Sequence, residues 1–319
     1  MNAAVVHRLG ESPRCEPFPE PVAGDNEVVV QVRAASLKPV DKQIAAGSHY
    51  ASPRQLPFVC GMDGVGHLSD GQRVFFGGCR SPYGAMAQRT VVPKAFTFPV
   101  PVAVKDEIAA ALPNPGVSAW LSLTFRAKLS AGENVLILGA TGVTGRLAVR
   151  IAKLLGAGRV VAAGRNQPAL EALAQLGADA TIQLDAAEKD LREAFLREAG
   201  ASGFQVVIDY VWGQPTEVLL SALTNRTFAQ IGAETRLVQV GESAGPTISL
   251  PAAVLRSTAL TILGTAGIPS PQVLADALQR VMDYAANGDL HIDTTCVPLA
   301  EISDAWKQDQ SGRRIVVIP

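Results

Sequence analysis

The sequence predicts an α/β protein in which a six-stranded parallel sheet is inserted into a smaller β-rich unit. Three observations lead there. From about Val117 to Thr265, short Val/Ile/Leu runs alternate with helical patterns; the first hundred residues read instead as short strands and turns; and 319 residues exceed what one small core needs. The expected boundaries are residues 1–116 plus 266–319 for the β-rich unit and residues 117–265 for the parallel-sheet unit.

In the first region, residues 27–33 (EVVVQVR) alternate as a half-buried strand does, and Asp70-Gly71 places a turn before the apolar run 73–76. Prolines at 13, 17, 19, 21, 53, 57, 82, 93, 99 and 101 break up any long helix. Beyond Val117 six strands are expected: residues 134–139 (NVLILG), 159–164 (RVVAAG), 179–184 (DATIQL), 204–210 (FQVVIDY), 236–241 (RLVQVG) and 260–265 (LTILGT). Their nearly continuous apolar character is that of strands buried on both faces. Between the first two, Val143, Leu147, Ile151 and Leu154 line one helical face, and Gly156 stands where that helix stops. Residues 270–287 read as a helix and the terminal IVVIP as a closing strand. This tail is too short to fold alone and is expected to complete the first unit.

The chemistry begins at GATGVTG, residues 139–145. Gly139 ends a strand, and Gly142 and Gly145 follow at intervals of three before a helix. A turn without Cβ atoms lets backbone N–H groups approach a pyrophosphate, and the helix N-terminus adds partial positive charge. The pattern is GxxGxxG rather than GxGxxG, but strand, turn, helix and next strand all fall in place, which makes this a Rossmann-type nucleotide turn. Thr141, Gly142, Val143 and Thr144 are its expected contacts. The second strand ends at Gly164, and Arg165 and Asn166 follow where an NAD site usually carries an acidic residue for the ribose hydroxyls. A guanidinium there pairs with a 2′-phosphate, so NADPH is the expected cofactor.

Composition excludes other classes. Charged residues are 18% and the formal net charge is −1, which leaves no basic field for nucleic acid or anionic lipid, and 5% aromatic content offers little base stacking. No run reaches the roughly 18 uncharged apolar residues of a membrane span, and the N-terminus lacks a signal-peptide apolar region, so a soluble, cytoplasmic protein is expected. Cys15, Cys60, Cys79 and Cys296 are scattered too widely for a structural zinc site and read as free thiols. His7, His49, His67 and His291 are likewise dispersed, and no metal is expected.

Across nearly the whole chain, residues 36–47 (SLKPVDKQIAAG), 60–66 (CGMDGVG), 70–74 (DGQRV), 83–88 (YGAMAQ) and GATGVTG resemble the medium-chain dehydrogenase/reductase superfamily in its zinc-independent quinone oxidoreductase branch. The resemblance implies that the β-rich unit is a GroES-like catalytic domain. Zinc-dependent relatives carry an early Cys and a GHE run; here Met62 and Asp63 occupy the GHE-like position. Without a metal Lewis acid, alcohol oxidation is hard to support, whereas hydride addition to a quinone or an enone needs only hydrogen-bond donors for the resulting oxyanion.

The same resemblance places an Asn, an Asp and a Tyr by the active-site mouth. Lys38 stands where Asn is usual, and Asp41 and Tyr50 match the other two; a Lys38 ammonium in the cleft would stabilise an oxyanion. The competing reading makes Lys38 and Asp41 a local ion pair and leaves Tyr50 merely packing. By resemblance, Asn114, Ser118, Val240, Gly241, Gly264 and Thr265 join the cofactor contacts. The expected activity is NADPH-dependent reduction of a small-molecule quinone or enone by a homodimer. An enoyl-thioester reductase and a non-catalytic NADPH-binding sensor stay open as alternatives.

Overall fold

A computed structural model of the chain describes residues 1–224, 234–265, 270–308 and 312–319. The chain forms two compact units, Met1–Asn114 with Leu278–Pro319, and Pro115–Ala277.

The first unit is built on strands β1 (Asn2–Val6), β2 (Arg14–Pro17), β3 (Glu27–Leu37), β4 (Phe58–Val59), β5 (Asp63–His67), β6 (Arg73–Gly77), β7 (Arg89–Pro93) and β8 (Thr97–Pro99), with helices α1 (Pro39–Ala46) and α2 (Asp106–Ala111). The C-terminal return adds β15 (Thr294–Pro298) and β16 (Arg314–Ile318). A three-stranded sheet runs β2-β1-β4, and a seven-stranded sheet runs β15-β16-β3-β5-β6-β8 with β7 also on β3. The closing strand expected at IVVIP is β16, antiparallel to β3 through Ile315–Leu37 and Val317–Ala35. Leu37, Phe76, Met86, Ile302, Ile315 and Val317 are buried in its core.

The second unit contains helix α3 (Pro113–Leu121), most of which lies within it, and then β9 (Asn134–Leu138), α4 (Val143–Leu154), β10 (Arg159–Gly164), α5 (Gln167–Ala172), β11 (Ala180–Gln183), α6 (Glu188–Ala199), β12 (Val206–Asp209), α7 (Gly213–Thr224), β13 (Thr235–Gln239), α8 (Ala252–Ser257) and β14 (Leu260–Gly264). The six predicted strands form one parallel sheet, ordered β11-β10-β9-β12-β13-β14. Val135, Leu136, Ile137, Val160, Val161, Val207 and Ile208 are fully buried, as continuous apolar strands require. The order reverses between β9 and β12: the chain leaves β9 toward β10 on one side and later returns to place β12 on the other. Ligands of open α/β sheets bind at the carboxyl ends of two strands so related.

Asn114, flanked by prolines, lies in the first turn of α3. Proline is tolerated there because the first N–H groups of a helix have no intrahelical acceptor.

Candidate functional site

The turn after β9 is shaped by its glycines in two different ways. Gly139 has φ 83°, and a Cβ on it would lie 3.0 Å from Val211 Cγ1 and 3.1 Å from Tyr210 Cβ. At Gly145 a Cβ would lie 2.3 Å from the Gly139 carbonyl oxygen. Backbone conformation with close packing therefore favours glycine at 139, and packing alone demands it at 145. Gly142 differs: its φ of −72° suits any residue, and among the described residues the only atom that a Cβ would meet is the Gly139 oxygen at 3.5 Å, so none of them requires glycine at this exposed position. It is the N-cap of α4 and supplies no side-chain cap, so the first N–H groups of a twelve-residue helix open beside a surface cleared of side chain. Residues of this kind fit a pyrophosphate. Thr141, Val143 and Thr144 flank the opening, half-buried.

At the end of β10, Gly164 is held against Thr141, whose Cγ2 would stand 2.7 Å from a Cβ there. Arg165 follows, exposed, with its carbonyl oxygen accepting a hydrogen bond from Gln183 Nε2 at 2.7 Å. This fixes the backbone and leaves the guanidinium in solvent. Asn166 has another duty: its Oδ1 accepts the Ala169 N–H at 3.0 Å as the N-cap of α5, which leaves only its amide group for a ligand.

On the other side of the reversal, the carbonyl of Asp209 accepts the N–H groups of Val240 (2.8 Å) and Gly241 (3.1 Å), which places both by the end of β12. Gly264 and Thr265 lie exposed at the end of β14, farther along the sheet, while Asn114 and Ser118 sit four residues apart on α3.

In the first unit, Lys38 and Asp41 are brought together, but not at an open surface. Lys38 is the N-cap of α1, and Asp41 at N3 returns a carboxylate to it, Oδ2 accepting the Lys38 backbone N–H at 2.8 Å. Pro39 opens the helix, and Gly47 at φ 77° closes it. The Lys38 side chain is 1% exposed. Its ammonium donates to Asp63 Oδ1 (2.8 Å), the Ser36 carbonyl (3.0 Å) and Ser36 Oγ (3.3 Å), and lies 3.4 Å from Asp41 Oδ2. Arg314, 5% exposed, joins the cluster electrostatically through Asp41 and Asp63. Two cations thus balance two carboxylates. Burial alone would lower the Lys38 pKa, but Asp41 and Asp63 outweigh it and hold the ammonium above its ordinary value of 10.5.

Two expectations change here. Lys38 is sealed, so it acts on its surroundings through Asp41 and Asp63 rather than by reaching out. Tyr50 is 96% exposed and stacks on His49 with ring centroids 4.0 Å apart, away from the buried cluster.

Asp41 also lines a cavity of about 220 Å³ within the first unit, together with Phe58, Cys60, Met62, Cys79 and Tyr83. Its Oδ1 is buried with no hydrogen-bond partner among the described residues. Burial pushes the Cys79 thiol up to about 12 and raises Cys60 further, so both are poor nucleophiles at neutral pH. Among the described residues, no group of three or more His, Cys, Asp or Glu is placed to hold a metal ion, and no helix is long and apolar enough to cross a membrane.

A parallel sheet that reverses at a glycine-cleared turn in one unit, and a buried charge cluster in a β-rich other, define a two-unit protein of the Rossmann type. The profile described as alcohol dehydrogenase GroES-like domain matches residues 24–102, and that described as zinc-binding dehydrogenase matches residues 143–283. The chain is 28% identical over 306 residues to the quinone oxidoreductase-like protein 2 of Mus musculus, covering 91% of this chain and 83% of that one. It is 28% identical to prostaglandin reductase-3 of Mus musculus over 219 residues, 65% of this chain and 55% of that one. Among solved structures, the quinone oxidoreductase from Thermus thermophilus, studied also as its NADPH complex, superimposes with a TM-score of 0.80 at 27% identity, covering all of both chains. A mycobacterial quinone oxidoreductase gives a TM-score of 0.87 at 22% identity, again covering both chains fully, and attests the fold. The chain belongs to the medium-chain dehydrogenase/reductase superfamily.

Proposed function

We propose that the chain is an NADPH-dependent oxidoreductase that reduces quinones or α,β-unsaturated carbonyl compounds. The observation that carries this reading is Gly142, whose missing side chain serves no packing need and clears the N-terminus of α4 for a pyrophosphate. The relatives support the direction, one being a quinone oxidoreductase studied with NADPH and another a prostaglandin reductase. When bound, NADPH supplies the hydride. Thr141 to Thr144 hold the pyrophosphate, Arg165 receives the 2′-phosphate, and Gly164, the free amide of Asn166, Val240, Gly241, Gly264, Thr265, Asn114 and Ser118 are the remaining contacts we assign.

The acceptor enters the cavity that Asp41 lines together with Cys60, Cys79, Ser81 and Tyr83. Lys38, sealed behind Asp41 and Asp63, acts as a positioning residue that holds the Asp41 carboxylate in place. Tyr50 contributes only if its exposed ring folds back over ligand, and Tyr50→Ala with unchanged KM for every acceptor would remove it from the site.

The test is NADPH oxidation against a panel of quinones, alkenals and enones. Turnover of at least one acceptor class is expected. Tight NADPH binding with no turnover of any acceptor would sink the reductase reading and leave a binding protein. Arg165→Ala should weaken NADPH by roughly ten- to hundredfold, the worth of a charge-assisted contact, and leave NADH affinity nearly unchanged. Equal losses for both nucleotides would take the 2′-phosphate away from Arg165.

A further inference from the structure

Asp209 is fully buried at the last position of β12, beside the reversal of the sheet, and every polar atom of its side chain is engaged. Oδ1 accepts the N–H groups of Val211 and Trp212, both at 2.8 Å, and Oδ2 accepts the Thr216 hydroxyl at 2.5 Å. These bonds wind the loop between β12 and α7 into a turn in which Trp212 has φ 55° and Gly213 φ 60°. A left-handed conformation at a bulky residue such as Trp is costly and persists only where its surroundings enforce it.

The same loop is tied on both sides. Its Tyr210 carbonyl accepts Ser243 Oγ at 3.2 Å and its Val211 carbonyl accepts the Ala244 N–H at 2.8 Å, while the Asp209 carbonyl takes Val240 and Gly241. The segment after β13 is thereby zipped to it. Toward the nucleotide turn, Tyr210 and Val211 close on Gly139: a Cβ there would stand 3.0 Å from Val211 Cγ1 and 3.1 Å from Tyr210 Cβ. One buried carboxylate therefore sets the wall that faces Gly139 across the carboxyl ends of β9 and β12. Arg165 stands at the end of β10, on the far side of β9 from that wall.

We propose that Asp209 is a positioning residue for the nicotinamide half of the cofactor: it holds the Tyr210–Gly213 loop and the Val240–Gly241 segment as the wall along which that half lies. The proposal rests on the NADPH reading above. The adenosine half, at Gly164 and Arg165, is independent of this wall.

The experiment measures the affinity of the intact protein for NADPH and for 2′,5′-ADP, a fragment that carries only the adenosine half, by calorimetry. In Asp209→Ala, NADPH affinity should fall at least about tenfold, the worth of the lost hydrogen bonds, while 2′,5′-ADP stays within about twofold. Asp209→Asn should restore NADPH affinity to within about threefold of wild type, because its Oδ1 still accepts both N–H groups and the Thr216 hydroxyl can turn to accept from Nδ2. Gly213→Ala, whose Cβ would stand 2.8 Å from the Ala244 carbonyl oxygen, disturbs the same loop without touching Asp209 and should give the same split. It carries the test if the alanine variant at position 209 does not fold. A merely structural role would weaken both ligands together; that result, or unchanged NADPH affinity in Asp209→Ala and Gly213→Ala, overturns the proposal. Wild-type protein that binds neither ligand overturns the nucleotide reading and this proposal with it.

Discussion

Lys38→Met should lower the unfolding free energy by about 3–5 kcal/mol, the cost of removing one partner from a buried ion pair. The side chain it replaces is of similar length, so no large cavity explains the loss. What remains is Asp63 without the ammonium that lies 2.8 Å from it, and Asp41 with its second oxygen already orphaned. Arg314 alone then faces both carboxylates. Adding Asp63→Asn to Lys38→Met should recover at least half of the deficit, since it removes the charge left unpaired. Urea unfolding of the two variants beside wild type measures this. A single variant within about 1 kcal/mol of wild type would mean that the cluster is worth no more than a surface pair.

The cluster also has an alkaline signature. Because Lys38 is held above 10.5, the folded state binds that proton more tightly than the unfolded chain does. Its contribution is complete below pH 10.5 and fades as the pH rises through the folded value. Wild type should therefore approach the stability of Lys38→Met in strong alkali, and the gap between them should be constant from neutral pH to about pH 10. A gap that closes below about pH 9 would place the ammonium in a different environment.

The parallel sheet was legible because its signal is local and redundant. Six apolar runs separated by helical patterns each point to buried parallel strands, and the observed ends differ from the expected ones by no more than two residues, as at β12, where Val206–Asp209 replaces 204–210. The nucleotide turn was legible for a similar reason, since strand, glycines and helix lie within one short stretch. The first unit's cluster was not. Lys38 and Asp41 are close in sequence, but Asp63 is 25 residues from Lys38 and Arg314 comes from the C-terminal return, so their pairing depends on strands that meet only in the fold. Tyr50 was placed by resemblance alone, and its ring is exposed. At Asp209, the loop's left-handed turn and its ties to Ser243 and Ala244 could not be derived from the sequence.

Gly145→Val should abolish nucleotide binding and cost about 3 kcal/mol or more, at the upper end of what overpacking does. The reason lies in what the new atoms would meet. A Cβ at Gly145 falls 2.3 Å from the Gly139 oxygen, 2.6 Å from Ala140 Cα and 2.9 Å from Ala140 C. All three are backbone, and none can swing aside as a flexible side chain would. Either α4 moves away from β9 or the turn opens, and both displace the first N–H groups of α4, which begins at Val143. Gly142→Ala supplies the control, because its Cβ meets nothing closer than 3.5 Å at an ordinary φ. Its stability should stay within about 0.5 kcal/mol of wild type while NADPH affinity falls about tenfold or more, since the methyl group occupies space that the ligand needs. Thermal unfolding and NADPH titration of the two variants separate the glycine that the fold requires from the glycine that the ligand requires. If Gly142→Ala binds NADPH as wild type does, the cleared space beside α4 has no ligand to serve, and the pyrophosphate lies elsewhere.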